Sequence, residues 1–137
     1  MAAMIYIAQV LTFLCYSINM ETINKKQLKE CGHQCPVEVV TALIGGKWKT
    51  VILYYLMTDQ TLRFGELRRR MPDVTQKMLT NQLRELEKDG LIDRKVYPVV
   101  PPKVEYSLTP LGRSLSKIIQ EMNVWGGQYL QVILPVN

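Results

Sequence analysis

From residue 36 onward, hydrophobic positions recur at helical spacing, switch briefly to alternation, and then return to helical spacing. Pro36 suits the first turn of a helix in which Val37, Val40, Thr41 and Ile44 share a face, and Gly45-Gly46 interrupt it. Trp48, Val51, Ile52, Tyr55 and Leu56 then repeat at i, i+3, i+4, i+7 and i+8, which predicts a second helix with one buried stripe. Phe64, Leu67 and Met71 define a short third helix, ended by Pro72-Asp73. Thr75 is a good N-cap for a fourth helix running to Lys88, with Gly90 as its stop. Residues 92–97 and 103–108 read as paired strands, with Pro98, Pro101 and Pro102 in the turn between them. Thr109-Pro110 caps a long last helix.

The first twenty residues break this pattern, because none of them is charged. A membrane helix needs about 20 predominantly apolar residues, so the stretch is borderline for spanning. A signal peptide would want a basic start and small residues at a cleavage site, and neither is present here. Lys25, Lys26 and Lys29 would keep the rest of a membrane-anchored chain on the cytoplasmic side. Met20 opens an abrupt switch to ordinary soluble sequence, where translation could begin. An upstream extension or an additional dimer-packing helix is therefore favoured for residues 1–20 over a membrane anchor or a signal peptide. The remainder, residues 21–137, is expected to form one domain, as the length of 137 residues suggests.

Composition is ordinary for a globular chain, with 47% hydrophobic and 21% charged residues. The net charge of +5 acquires meaning only from its distribution. Ten basic residues lie between Thr61 and Lys103 against six acids, so an anionic partner is expected at the middle of the chain. On the fourth helix, Leu79, Leu83 and Leu86 fall within about 60° of one another. Lys77, Asn81, Arg84 and Lys88 lie opposite, with Gln76 and Thr80 on one flank. Gln76, Lys77, Thr80 and Asn81, near the N-terminus, are the side-chain types that reach base edges, while Arg84 and Lys88 further along suit phosphates. A solvated helix face accounts for such a wheel when it stands alone.

Two neighbours change that weighting. The short helix from Phe64 to Arg70, carrying Arg68 and Arg69, precedes the fourth helix across a tight turn, which is helix-turn-helix spacing. The strand pair that follows carries Arg94, Lys95 and Lys103, cations able to neutralise phosphates alongside the adjacent groove. The expected fold is mainly α (α+β), a winged helix-turn-helix domain with a two-stranded β-wing and a long C-terminal helix. The expected partner is double-stranded DNA.

Cys35-Pro36-Val37, Gly46-Lys47-Trp48-Lys49, Arg63-Phe64-Gly65-Glu66-Leu67 and Gln76-Lys77-Met78-Leu79-Thr80 resemble the HxlR-type family. The same holds for the stretch from Leu83 to Ile92 (LRELEKDGLI) and for Val104 to Gly112 (VEYSLTPLG). The motifs occur in family order over roughly residues 35–125. This resemblance implies a homodimeric winged helix-turn-helix transcriptional regulator of bacterial type, related in fold to the MarR-type regulators; a pair of recognition helices calls for a palindromic operator, and the few cysteines favour the cytoplasm. It also implies that Cys35 stands where members sensing oxidants or electrophiles carry their thiol. The physical support is position: a thiol just before Pro36 sits beside the positive end of a helix dipole, a setting that favours reactivity. An inert small residue at the core edge is the competing reading.

Three cysteines are too few for a disulfide scaffold. Cys31, His33 and Cys35 supply three ligands where structural zinc takes four, so no metal and no cofactor is expected, and a Cys31–Cys35 or intersubunit disulfide switch is a weaker alternative. With one histidine and no HExxH, GxSxG or glycine-rich phosphate loop, the chain does not read as an enzyme. The alternative of a different class is a winged-helix protein-interaction module that does not read DNA.

Leu111, Leu115, Ile118, Met122, Trp125, Tyr129 and Val132 follow at intervals of 4, 3, 4, 3, 4 and 3, a heptad seam expected to serve dimerisation. Trp125 and Tyr129 are typical interface anchors, and Gly126-Gly127 are the point where the helix would fail.

Overall fold

The computed structural model describes residues 35–134. The expectations for residues 1–20, and for Cys15, Cys31 and His33, lie outside the described residues. In order, the elements are α1 (Pro36–Ile44), α2 (Lys49–Asp59), β1 (Thr61–Arg63), α3 (Phe64–Arg70), α4 (Gln76–Lys88), β2 (Ile92–Tyr97), β3 (Lys103–Leu108), α5 (Pro110–Ser114) and α6 (Ser116–Ile133). The three strands form one antiparallel sheet ordered β1-β3-β2. Thr61 pairs with Ser107 and Arg63 with Glu105 on one edge of β3, while Ile92 pairs with Leu108 and Tyr97 with Lys103 on the other.

Local chemistry sets the ends of α4. The Thr75 side chain accepts a hydrogen bond from the Met78 amide at 3.2 Å, satisfying one of the free N–H groups of the first turn. At the other end Gly90 takes φ +71°, its amide donates to the Glu87 carbonyl at 3.0 Å, and the Leu91 amide donates to Leu86 at 3.0 Å. That is a Schellman stop, and the left-handed residue it requires is why a glycine stands there. Thr109 then stitches the next element to this one: its hydroxyl donates to the Gly90 carbonyl at 2.6 Å and its amide to the Leu91 carbonyl at 3.1 Å. The same hydroxyl accepts from the Gly112 amide. A Cβ at Gly112 would lie 2.0 Å from the Leu91 carbonyl oxygen, so α5 can approach the end of α4 only with glycine there.

The core gathers Ile52, Leu53 and Leu56 of α2, Leu67 of α3, Leu79, Leu83 and Leu86 of α4, and Leu91 and Ile92 at the start of the wing, all fully buried. Fully burying such a side chain contributes about 1.5–3 kcal/mol.

Five expectations need correction. The sheet has a third strand, β1, because the second edge of β3 finds Thr61–Arg63 as a partner. In α1 only Ile44 is buried, and Val37 is 66% exposed. The buried stripe of α2 is Lys49, Ile52, Leu53 and Leu56, with Trp48, Val51 and Tyr55 only partly covered at its margin. The last helix is divided at Leu115, whose amide bonds back only three residues, to Gly112, at 3.2 Å. Such a tight turn advances the helix phase. The deeply buried residue of α6 is accordingly Ile119, one position beyond the heptad residue Ile118. Gly126-Gly127 do not end the helix, which continues to Ile133.

Candidate nucleic-acid interface

α3 and α4, joined by residues 71–75, form the helix-turn-helix, and the apolar side of α4 is sealed against the core by Leu79, Leu83 and Leu86. Gln76, Lys77, Asn81, Arg84 and Lys88 are exposed and Thr80 is half-buried, as the helical wheel requires. The Gln76 amide oxygen accepts from Arg68 Nη1 of α3 at 3.2 Å, so Arg68 orients a candidate base reader in the free protein. The Thr80 hydroxyl donates to the Gln76 carbonyl at 2.8 Å, which leaves it lone pairs to offer outward. Arg69 is exposed beside them.

The two flanks of α4 meet different neighbours. On one side Lys49, only 9% exposed, donates to Glu85 at 2.9 Å and lies 3.9 Å from Asp89, tying the first turn of α2 to the last turns of α4. On the other side Thr80, Leu83, Arg84 and Glu87 line a cleft with Arg94 and Tyr106 of the wing, about 210 Å³ in volume.

The wing divides its cations between two faces. Successive residues of a strand point to opposite sides, so Arg94 faces with Tyr106 toward α4, while Lys95 and Lys103 lie on the other face. There the Tyr97 ring is flanked by Lys95 Nζ at 4.9 Å and Lys103 Nζ at 4.7 Å from its centroid. Glu105 sits among them, 2.7 Å from Lys103 Nζ and 3.9 Å from Arg63 Nε. The hydrogen bond from Lys103 holds the Glu105 carboxyl below its usual range, against the opposing effect of burial, and the Arg63 charge adds to the lowering. Lys103 is thus already engaged, whereas Arg94 has no ion pair among the described residues. The three wing cations expected to act together do not share a surface.

A family model described as HxlR-like helix-turn-helix matches residues 43–133. The chain belongs to the HxlR-like helix-turn-helix family of transcriptional regulators. The HTH-type transcriptional regulator YdeP of Bacillus subtilis (strain 168) is 57% identical over 95 residues, which span 69% of this chain and 73% of that protein. Among solved structures, the redox regulator HypR in its oxidised form is 55% identical with a TM-score of 0.65, over 69% of this chain and 96% of that one. HypR in its reduced form is 52% identical with a TM-score of 0.69, over 72% and 97% respectively. The winged helix-turn-helix fold read from the sequence is the fold of this HxlR-like chain.

Three residues of interest escaped the sequence reading. Met78, 46% exposed in the first turn of α4, is an apolar side chain of the kind that contacts a thymine methyl. Its place on the wheel, between the leucines and the polar face, was the available signal. Lys49 and Glu87 become visible only once α2 and the wing are packed beside α4. Cys35 stands exposed at the N-cap of α1, in no disulfide among the described residues, and its carbonyl accepts from the Glu38 amide at 2.8 Å. Leu111 and Leu115 pack against the core, while Ile118, Met122, Trp125, Tyr129 and Val132 are exposed. Among the described residues no cluster of three or more His, Cys, Asp or Glu could hold a metal, and no helix is long and apolar enough to cross a membrane.

Proposed function

We propose that this HxlR-like protein is a homodimeric, sequence-specific DNA-binding transcriptional regulator of the cytoplasm, acting by binding rather than catalysis. It reads a palindromic operator with α4 and answers oxidants or electrophiles through Cys35. The observation that carries the reading is α4 itself. Its three leucines are fully buried, and its capped N-terminal end presents Gln76, Lys77, Thr80 and Asn81 outward. A helix docked in this way leads into the major groove with side chains that discriminate base edges. Two such helices about 34–36 Å apart would read successive major grooves, which is why a dimer and a palindrome belong together. The exposed Cys35 and the likeness to a redox regulator at 55% identity support the sensing role.

The test is recovery of genomic fragments by the full-length protein, followed by binding to a recovered fragment and to random duplex. Gln76→Ala and Asn81→Ala are each expected to reduce discrimination by about 1–3 kcal/mol per lost base contact. Full discrimination retained in both variants would remove α4 as the reader. Diamide is expected to release the fragment from the wild type and not from Cys35→Ser. Release that persists in the variant assigns the sensing elsewhere.

A further inference from the structure

We propose that the cleft between α4 and the wing is a seat for one phosphate of the DNA backbone, held jointly by Arg84 and Arg94 and weakened by Glu87. The inference rests on the DNA-binding reading and adds to it a specific site with its own donors. Arg84 comes from the third turn of α4 and Arg94 from the third residue of β2, yet both line the same small opening. Neither is in an ion pair among the described residues. Arg68, Arg70 and Lys103, by contrast, are already engaged, by Gln76, Asp59 and Glu105 respectively.

The chemistry of the walls narrows the ligand. Two guanidinium groups present planar forks that match phosphate oxygens, and neither can lose its charge. The Thr80 hydroxyl already donates to Gln76, so the donors left in the lining are the two guanidinium groups and the Tyr106 hydroxyl, and the arginines supply its positive charge. Glu87 is the acid in the lining, and an anion entering the cleft must approach it. The geometry of the duplex supplies the rest. With α4 in a major groove and the ribbon over the adjacent minor groove, the sugar-phosphate strand that separates the two grooves must run between them. The cleft lies on that path.

A shared phosphate differs measurably from two separate ones. Counterion release makes the logarithm of affinity fall with the logarithm of salt concentration at about 0.9 per phosphate neutralised. Full-length wild type, Arg84→Ala, Arg94→Ala, the double variant and Glu87→Gln are to be titrated with random duplex and with a recovered genomic fragment, across a range of salt. All three positions are exposed, so the variants are expected to fold. The double variant should make the slope shallower by about 1 on both duplexes, leaving the ratio between them unchanged. Glu87→Gln should bind both duplexes more tightly.

A loss of about 2 in the double variant would mean two separate phosphates and would overturn the shared seat. An unchanged slope would remove the cleft from the interface. Unchanged or weaker binding by Glu87→Gln would overturn the part given to that carboxylate. The underlying reading fails differently. If the wild type shows no salt-dependent binding to DNA, the reading falls and the seat with it. If binding is steep in salt and Gln76→Ala loses discrimination while the double variant behaves as wild type, only the seat falls.

Discussion

α4 and α6 are both amphipathic, but they spend their apolar residues in opposite ways. The leucine stripe of α4 is closed off entirely by α2, α3 and the wing, and what remains outside is polar or basic apart from Met78. In α6 only Ile119 is buried. Beyond it Trp125 is 65% exposed and Tyr129 50% exposed, their rings stacked with centroids 5.3 Å apart, and Ile118, Met122, Leu130 and Val132 stand open with them. A run of exposed aromatic and aliphatic side chains of this extent is what the proposed dimer would cover. One helix therefore has its apolar demand met within the chain and offers chemistry to DNA. The other has unmet apolar demand, which a second copy presenting the same face would satisfy.

The sharpest way to break this comparison is to charge the open face. Met122→Glu with Trp125→Glu is expected to give a folded monomer, because neither side chain belongs to the core. Anchors of this kind cost about 2 kcal/mol or more each when lost, and each change occurs in both copies, so the pair should weaken association by at least about a thousandfold. Sedimentation at micromolar concentration reads the result. A variant that remains dimeric assigns association to another surface. A monomer that also loses its palindromic fragment ties the open face of α6 to the reading by α4.

A smaller effect sharpens the other half of the comparison. Leu83→Ala in α4 should cost about 2–5 kcal/mol in denaturant unfolding, since it leaves a cavity in a closed core. Leu130→Ala, made in the monomeric background, should stay within about 0.5 kcal/mol, because Leu130 is 54% exposed. Equal losses at the two positions would mean that α6 packs on its own domain more closely than its exposure indicates.

What the sequence could express was whatever rests on local chemistry. The bounds of α4 follow from Thr75 and Gly90, and those of both wing strands from alternation and the prolines, and the structure places them there. β1 was invisible because three residues are too few to display a period, and it exists through pairing with a strand more than forty residues later. The two faces of the wing were partly legible: Arg94 and Lys95 are neighbours on a strand and must point apart. Placing Lys103 with Lys95 additionally needed the register Lys95 to Glu105 and Tyr97 to Lys103, which the turn geometry sets. Nothing local marks Lys49 for burial, which follows from Glu85 and Asp89, arriving from another helix. Gly126-Gly127 looked like a break. Two glycines cost about 1 kcal/mol each relative to alanine, too little to end a helix with hydrogen-bonded turns on both sides.

The smallest expected effect concerns an ion pair at the back of the helix-turn-helix, remote from both apolar stripes. Arg70, at the end of α3, grips Asp59 at the end of α2 with both terminal nitrogens, one of them 3.0 Å from Oδ1. The guanidinium also lies over Tyr55, 5.6 Å from the ring centroid. The hydrogen bond from Arg70 holds the Asp59 carboxyl below its ordinary value, with the Arg70 charge adding to the lowering and burial working against it. A carboxyl whose folded value is depressed contributes stability above its unfolded value, near 3.9, and that contribution is lost as pH falls through the folded value. Wild type should therefore melt above Asp59→Asn at neutral pH, and the gap should close as pH falls below about 4. Melting curves of both proteins at several pH values measure it. A gap that stays constant into acid would mean that the aspartate acts through packing rather than charge, and that α2 and α3 are held together by Tyr55 and the core instead.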